Sequence, residues 1–389
     1  MVQPIYIPVF GSGLGHATRM HLVSERLNSL NIPTVFSSSC EGLDFLRSKG
    51  HNCSEVPNLD VKWGERGDFS TTKTLKAFPE LFETFISQVR IEAKNMDRIG
   101  PSLVLADSKL SAVIASSVKD VPCVTILNQL RLSIIYRHLS RLFAFFEDIW
   151  AEFFGYVWAQ SKLLLIPDFR PPHTISEFHI KGVRSASKKV KYVGPLMLKG
   201  GPEPDRVRWV RKHLKLEDGK RTIFAQISGP RATRVTLLKQ LREVSSRNAN
   251  RFNFIISEGE SNGRQIPKKI KGGWHFEWCP FREELFSLSD LAVIRGGHSS
   301  ILQSTKYGKA MLMLPIPKHS EQIMNSRKVE SLGAGLLVDP SKSSVKTIDE
   351  GIHRVISDNS INSTAVRLKG LFESYNGLDD ISKIAADYT

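Results

Sequence analysis

The sequence predicts an α/β chain of two consecutive doubly wound domains. Short apolar runs alternate with longer amphipathic stretches, the pattern of βαβ units on a parallel sheet. The alternation breaks at the Gly/Pro-rich Lys199-Gly-Gly-Pro-Glu-Pro-Asp205 and then restarts. A length of 389 residues also exceeds what one hydrophobic core ordinarily organises. At 41% hydrophobic and 24% charged, the composition excludes a largely disordered or fibrous chain.

Taken in order, Ile5–Phe10 reads as the first strand and Ala17–Asn31 as its helix. Pro33–Ser37 is the next strand and Gly42–Lys49 the next helix. Leu103–Ala106 and Cys123–Leu127 are strands flanking a helix over Ser111–Lys119. Leu163–Pro167 and Lys191–Gly194 complete the first set. Beyond the break, strands fall at Thr222–Ile227, Phe252–Ile256, His275–Trp278, Leu291–Ile294 and Met311–Leu314, with helical segments between them. The expected boundaries are a first domain over 1–197, a linker over 198–220 and a second domain over 221–389 that ends in a C-terminal helix. Ligands of such sheets bind beyond the carboxyl ends of the strands, so the loops there hold the chemistry.

The loop after the first strand is Gly11-Ser-Gly-Leu-Gly-His16-Ala-Thr-Arg19. Glycines such as Gly13 and Gly15 turn the chain sharply and let a ligand approach helix N–H groups. A nicotinamide fingerprint needs a third glycine where His16 stands, and the next strand ends in Ser37-Ser-Ser39 rather than an acid. His16 is therefore either a general base, a role that suits an imidazole, or a helix cap. Asp107, at another strand end, is a second candidate base or the cap of the helix that follows.

In the second half, Arg295-Gly-Gly297-His298-Ser-Ser300-Ile-Leu-Gln303 follows a strand and opens a helix, an arrangement that suits a diphosphate. The next strand runs into Leu314-Pro-Ile-Pro317-Lys-His-Ser-Glu321-Gln322-x-x-Asn325. Ser228, Gly229 and Arg231 add small residues and a cation at a third strand end, and Trp278-Cys-Pro280 is a packed turn or a base contact.

These motifs resemble the GT-B glycosyltransferases that use nucleotide sugars, particularly the family 28 branch of lipid II synthase and dolichol-linked chitobiose synthase types. Gly11–His16 is similar to the family's glycine-rich loop with its acceptor-side His. Tyr192–Leu196 resembles the Val-Gly-Pro before the interdomain linker. Trp278–Pro280 resembles the turn near the base, Arg295–Gln303 the diphosphate loop, and Glu321-Gln322-x-x-Asn325 the sugar-contacting motif. The chain departs from the pattern at Gln303, where the family has a ribose-binding Glu, and at Phe281, where plant-type relatives have Gln.

The resemblance implies two Rossmann-like domains facing a central cleft, acceptor in the first and UDP-sugar in the second. It implies inverting transfer with no metal or cofactor, the UDP-sugar being a co-substrate. His16 would deprotonate the acceptor, helped by Gly13, Gly15 and Arg19, with Arg19 meeting an acceptor phosphate or the donor diphosphate. Ser228, Gly229, Arg231, Trp278, Arg295, Gly297, His298, Ser299, Ser300 and Gln303 would hold UDP. Glu321, Gln322 and Asn325 would hold the sugar, N-acetylglucosamine.

The charge balance is +15, and 13 Lys/Arg against 4 Asp/Glu fall between Lys181 and Arg221. That surplus implies an anionic partner or a solvated basic linker. The segment 131–158 carries Arg131, Arg137 and Arg141, then eight aromatics from Phe143 to Trp158. Those rings either fill the first domain's core or form an interfacial patch on an anionic bilayer.

No apolar run approaches the roughly 18 residues of a membrane span. Met1–Phe10 lacks a signal-peptide pattern, and Cys40, Cys53, Cys123 and Cys279 show no Cys-x-x-Cys. The expectation is an intracellular enzyme, peripheral at the inner face of the cell membrane. It would act on a polyprenyl- or dolichyl-phosphate-linked acceptor, with a membrane-anchored partner or homodimer left open. Rival readings are a transferase for soluble acceptors, a nucleotide-sugar epimerase, and a basic nucleic-acid-binding protein. The last lacks any recognition motif, so no nucleic acid partner is expected.

Overall fold

The computed structural model describes residues 2–59, 77–131, 141–260 and 263–389, and for 141–146 the backbone alone. Among the described residues, one compact unit takes the chain up to Leu198 together with Tyr375–Thr389, and a second takes Lys199–Ser374.

The first unit is a parallel sheet of β1 (Ile5–Pro8), β2 (Thr34–Ser38), β3 (Cys53–Glu55), β4 (Leu103–Asp107), β5 (Cys123–Ile126), β6 (Leu163–Ile166) and β7 (Val190–Tyr192), in the order β3-β2-β1-β4-β5-β6-β7. Its helices are α1 (Leu14–Asn28), α2 (Cys40–Ser48), α3 (Phe78–Ile99), α4 (Leu110–Val118), α5 (Arg141–Trp158), α6 (Glu177–Ile180) and α7 (Arg184–Ser187). The strands read as apolar runs because both faces are covered. Ile5, Ile7, Leu103 and Leu105 join one core cluster, while Tyr6, Val104 and Ala106 face a second.

The second unit opens with α8 (Pro204–His213). Its sheet holds β8 (Arg221–Gln226), β9 (Phe252–Ser257), β10 (Lys268–Ile270), β11 (Gly273–Phe276), β12 (Leu291–Ile294), β13 (Ala310–Met313) and β14 (Gly335–Leu337). The order is β10-β11-β9-β8-β12-β13-β14, parallel except for the β10–β11 hairpin at one edge. Its other helices are α9 (Arg231–Arg247), α10 (Arg282–Leu288), α11 (His298–Lys306), α12 (Ser320–Ser331), α13 (Val345–Ser357) and α14 (Asn359–Glu373). Ile223, Leu241, Phe254, Val293, Leu312 and Ile352 are fully buried in its core. Truncating any of them to Ala costs about 2–5 kcal/mol.

Two boundary expectations are corrected. The C-terminal helix α15 (Gly377–Ala386) packs on the N-terminal unit, not the second domain: Ile381 and Ala385 are buried in one core with Met20 and Leu27 of α1. The return is clamped at Val193-Gly194-Pro195. Gly194 has φ +85, and a Cβ there would lie 2.3 Å from the Tyr375 ring, so no side chain fits. Tyr375 Oη in turn accepts the Arg170 N–H at 2.9 Å. Nor is 198–220 only a linker. It contains α8, whose Val210 is buried, and Trp274 Nε1 donates to Leu214 O at 2.6 Å.

The 22-residue α3 and the short β3 were not foreseen in the stretch after Lys49. Pro79 in the first turn of α3 and Gly100 at its left-handed end were the available signals. Arg137, within 132–140, lies outside the described residues, as do the side chains of Arg141, Phe143, Phe145 and Phe146.

Candidate active site

The N-terminal loop turns where only glycine fits. A Cβ on Gly11 would sit 2.2 Å from Ser39 O, and Gly13 has φ +79 as the N-cap of α1. Gly15 lies half-buried in the first turn. His16, one residue on, does not cap that helix. Its Nδ1 lies 2.8 Å from Asp107 Oδ1, its ring is 24% exposed, and its Nε2 bonds no described residue. Phe10 packs edge-on against the imidazole at 5.5 Å between centroids.

Asp107 ends β4 and is fully buried. Arg19, three residues beyond His16 on α1, reaches it with Nε on Oδ2 at 2.5 Å and Nη2 on Oδ1. Burial by itself raises this carboxyl's pKa, but the Arg19 charge, then His16 and their hydrogen bonds, bring it down to about 2. Asp107 is an ionised acceptor that fixes the imidazole.

Two expectations change. Asp107 caps nothing: Lys109 is the N-cap of α4, with no side-chain cap bond. Arg19 is 8% exposed and committed to Asp107, so it is a support for the carboxylate rather than a phosphate contact.

In the second unit β11, β9, β8, β12 and β13 run parallel, so the loops after them share one sheet edge. Three of these loops touch. Gly229 has φ +115, and a Cβ there would stand 3.3 Å from Ile316 Cδ1. Arg295 Nη1 donates to Thr233 O at 3.2 Å. Gln322 Oε1 accepts the Ile316 N–H at 2.9 Å. Gly296 is held close to α12, where a Cβ would meet Ser326 Oγ at 2.2 Å. At the start of α11, the N-cap Gly297 gives the first-turn N–H groups no side-chain cap.

Arg295 is buried, and no carboxylate among the described residues pairs with it. Burial, then the charge of Arg234, bring its pKa down to about 10. An anion bound there would relieve that cost. Arg234 and His319 were not anticipated. Arg234 is 4% exposed and holds Glu258 O at 2.7 Å, and His319 caps α12 by accepting the Gln322 N–H. Nothing in sequence separates Arg234 from the exposed Arg231 one turn earlier. His319 had a signal, standing directly before Ser-Glu-Gln at a helix start.

The expected donor residues divide by access. Ser228, Gly229, Arg231, Trp278, Gly297, Ser299, Ser300, Glu321 and Gln322 reach the surface. Arg295, His298, Gln303 and Asn325 are buried. Gln303 corrects the ribose expectation. Its Oε1 accepts from Arg282 Nη2 at 3.0 Å and its Nε2 donates to Glu283 Oε1 at 2.5 Å, so both polar ends are used inside the protein. Asn325 is wholly buried, which takes its amide out of reach of a sugar. Phe281, the other departure, packs against Trp209, His213 and Phe276.

On α5, Trp150, Phe153 and Tyr156 are more than half exposed and Ile149 is 48% exposed, on one helix face, whereas Trp158 is buried. The basic stretch packs beside it: the Arg184 and Ser185 N–H groups donate to the Glu152 carboxylate at 2.8 and 2.9 Å. Lys181, Arg184 and Lys188 are exposed there. No helix among the described residues is long and apolar enough to cross a membrane.

Residues 233–376 match the glycosyltransferase family 28 C-terminal domain. A Methanosarcina mazei protein described as an uncharacterized glycosyltransferase is 22% identical over 96% of this chain and 95% of its own. The UDP-N-acetylglucosamine–N-acetylmuramyl-(pentapeptide) pyrophosphoryl-undecaprenol N-acetylglucosamine transferase of Trichlorobacter lovleyi is 25% identical over 45% of this chain and 44% of its own. The Streptomyces sp. SF2575 glycosyltransferase SsfS6, solved with thymidine diphosphate, superposes with a TM-score of 0.68 at 14% identity, covering 99% of each chain. With glycosyltransferases matched along its whole length and its two doubly wound units, the chain is a glycosyltransferase of the GT-B fold.

Proposed function

We propose that this enzyme moves N-acetylglucosamine from UDP to an acceptor linked to a polyprenyl or dolichyl phosphate, at the cytoplasmic face of a membrane, with inversion and without a metal. His16 Nε2 takes the proton of the attacking hydroxyl while Nδ1–H donates to Asp107. Asp107 stays ionised throughout and stabilises the imidazolium. Such base catalysis contributes about 10²–10⁴-fold. The first turn of α11, with Ser299, Ser300 and the buried Arg295 charge, is suited to the charge that develops on the leaving diphosphate. Glu321 and Gln322 are the surface groups for the sugar hydroxyls. The undecaprenol-linked relative supports this choice of donor and acceptor.

The lipid acceptor rests on the exposed face of α5. Water-facing Trp150, Phe153 and Tyr156 beside exposed lysines and arginine suit an anionic interface, where aromatics insert and cations meet headgroups. A transferase for soluble acceptors has no use for them. The test presents a polyprenyl-diphosphate-linked sugar in anionic vesicles, and the same sugar in soluble form, with labelled UDP-N-acetylglucosamine. Label in the lipid extract supports the reading; transfer to the soluble sugar alone sinks it.

A further inference from the structure

We propose that His21, Glu25 and His51 form a binding site for one divalent transition-metal ion, zinc being the best match, between α1 and the turn after α2. The site is separate from the His16–Asp107 pair and does not depend on the donor or acceptor assignment.

His21 and Glu25 stand four apart on α1, one turn along the same face. His51 comes from the turn that leads into β3. Its Nε2 lies 2.8 Å from His21 Nδ1, and one ligand atom from each of the three residues falls within 4.8 Å of the others. Ligands of a tetrahedral zinc, bound at about 2.0–2.2 Å, stand about 3.2–3.6 Å apart. The rings therefore need only part slightly to admit an ion. Two imidazoles and a carboxylate are zinc donors, and three protein ligands leave a fourth position for water.

The surroundings hold the rings in place. Phe36 packs on His51 at 4.7 Å between centroids, and Phe45 lies edge-on to His21 at 6.0 Å. Burial lowers the pKa of both histidines, which keeps their lone pairs available at neutral pH. The opposing charge is Lys49, whose ammonium sits over the Phe45 ring. Since α1 also carries His16 and Arg19, an ion here pins the helix that presents the base without touching the reaction.

The test strips the full chain with a chelator, dialyses it against zinc chloride, and measures metal content and melting temperature. The expected result is one zinc per chain and a raised melting temperature, since a ligand of the folded state stabilises it. His21→Gln, His51→Gln and Glu25→Gln should each weaken binding at least about tenfold. His16→Ala should bind zinc as the parent does. Glu25 is exposed, so Glu25→Gln keeps the question answerable if a histidine variant fails to fold. A parent chain that retains no zinc at micromolar free metal overturns the proposal, as do three variants that bind like the parent.

Discussion

His16 Nδ1 lies 2.8 Å from Asp107 Oδ1 across 91 positions of sequence, and Arg19 closes on both oxygens of the same carboxylate. One strand end thus orients the half-buried imidazole, while a buried guanidinium keeps the carboxylate ionised. Asp107→Asn removes the charge and keeps the shape. Activity should fall about 10²-fold or more. Stability should drop by about 3–5 kcal/mol, because Arg19 is left buried without its counter-charge. Denaturant unfolding and steady-state rates on the same preparation check both.

The same carboxylate sets an acid limit. Its folded pKa of about 2 lies below the ordinary 3.8, so its contribution is present above pH 4 and is lost as pH falls from 4 to 2. The shift corresponds to about 2–3 kcal/mol. Unfolding free energies measured from pH 5 down to 2 should show this extra slope in the parent. Asp107→Asn should lack it.

Gln303 reports on donor-site architecture. A carboxylate at 303 would keep the Arg282 contact through one oxygen but set the other against Glu283, whose oxygens already accept from Lys306 and Tyr307 as well as Gln303. Gln303→Glu should therefore destabilise the chain, by about 1–3 kcal/mol. Gln303→Glu combined with Glu283→Gln reverses the polarity of the pair and should recover most of the loss. A double-mutant cycle by thermal unfolding measures the coupling.

The α5 face separates binding from folding. Trp150→Ser, Phe153→Ser and Tyr156→Ser together remove rings that are more than half exposed, so the melting temperature should change little. Sedimentation with anionic vesicles should fall at least about tenfold, since each buried ring contributes on the order of 1 kcal/mol or more. Unchanged co-sedimentation would contradict the α5 face as a membrane contact.

Much of the fold was legible because its strands are buried on both faces and read as plain apolar runs. Ile5–Pro8 and Leu291–Ile294 needed no tertiary knowledge. The placement of His16 in the first turn after a strand was legible too, from the glycines before it. Its partner was not: the choice of Asp107 between cap and carboxylate depends on Arg19 arriving from another element. Gln303 misled for a related reason, since only the packing of α10 against α11 uses up its amide. Gly377–Ala386 has an ordinary amphipathic pattern, and nothing local says which unit it covers.

The role of His16 is tested most directly by His16→Ala, assayed for transfer from UDP-N-acetylglucosamine with donor binding followed by thermal shift on the same sample. UDP stabilisation should equal the parent's, and the rate should be lower by about 10²–10⁴-fold. A variant that binds UDP and still transfers within a few-fold of the parent would contradict the assignment of His16 as the base.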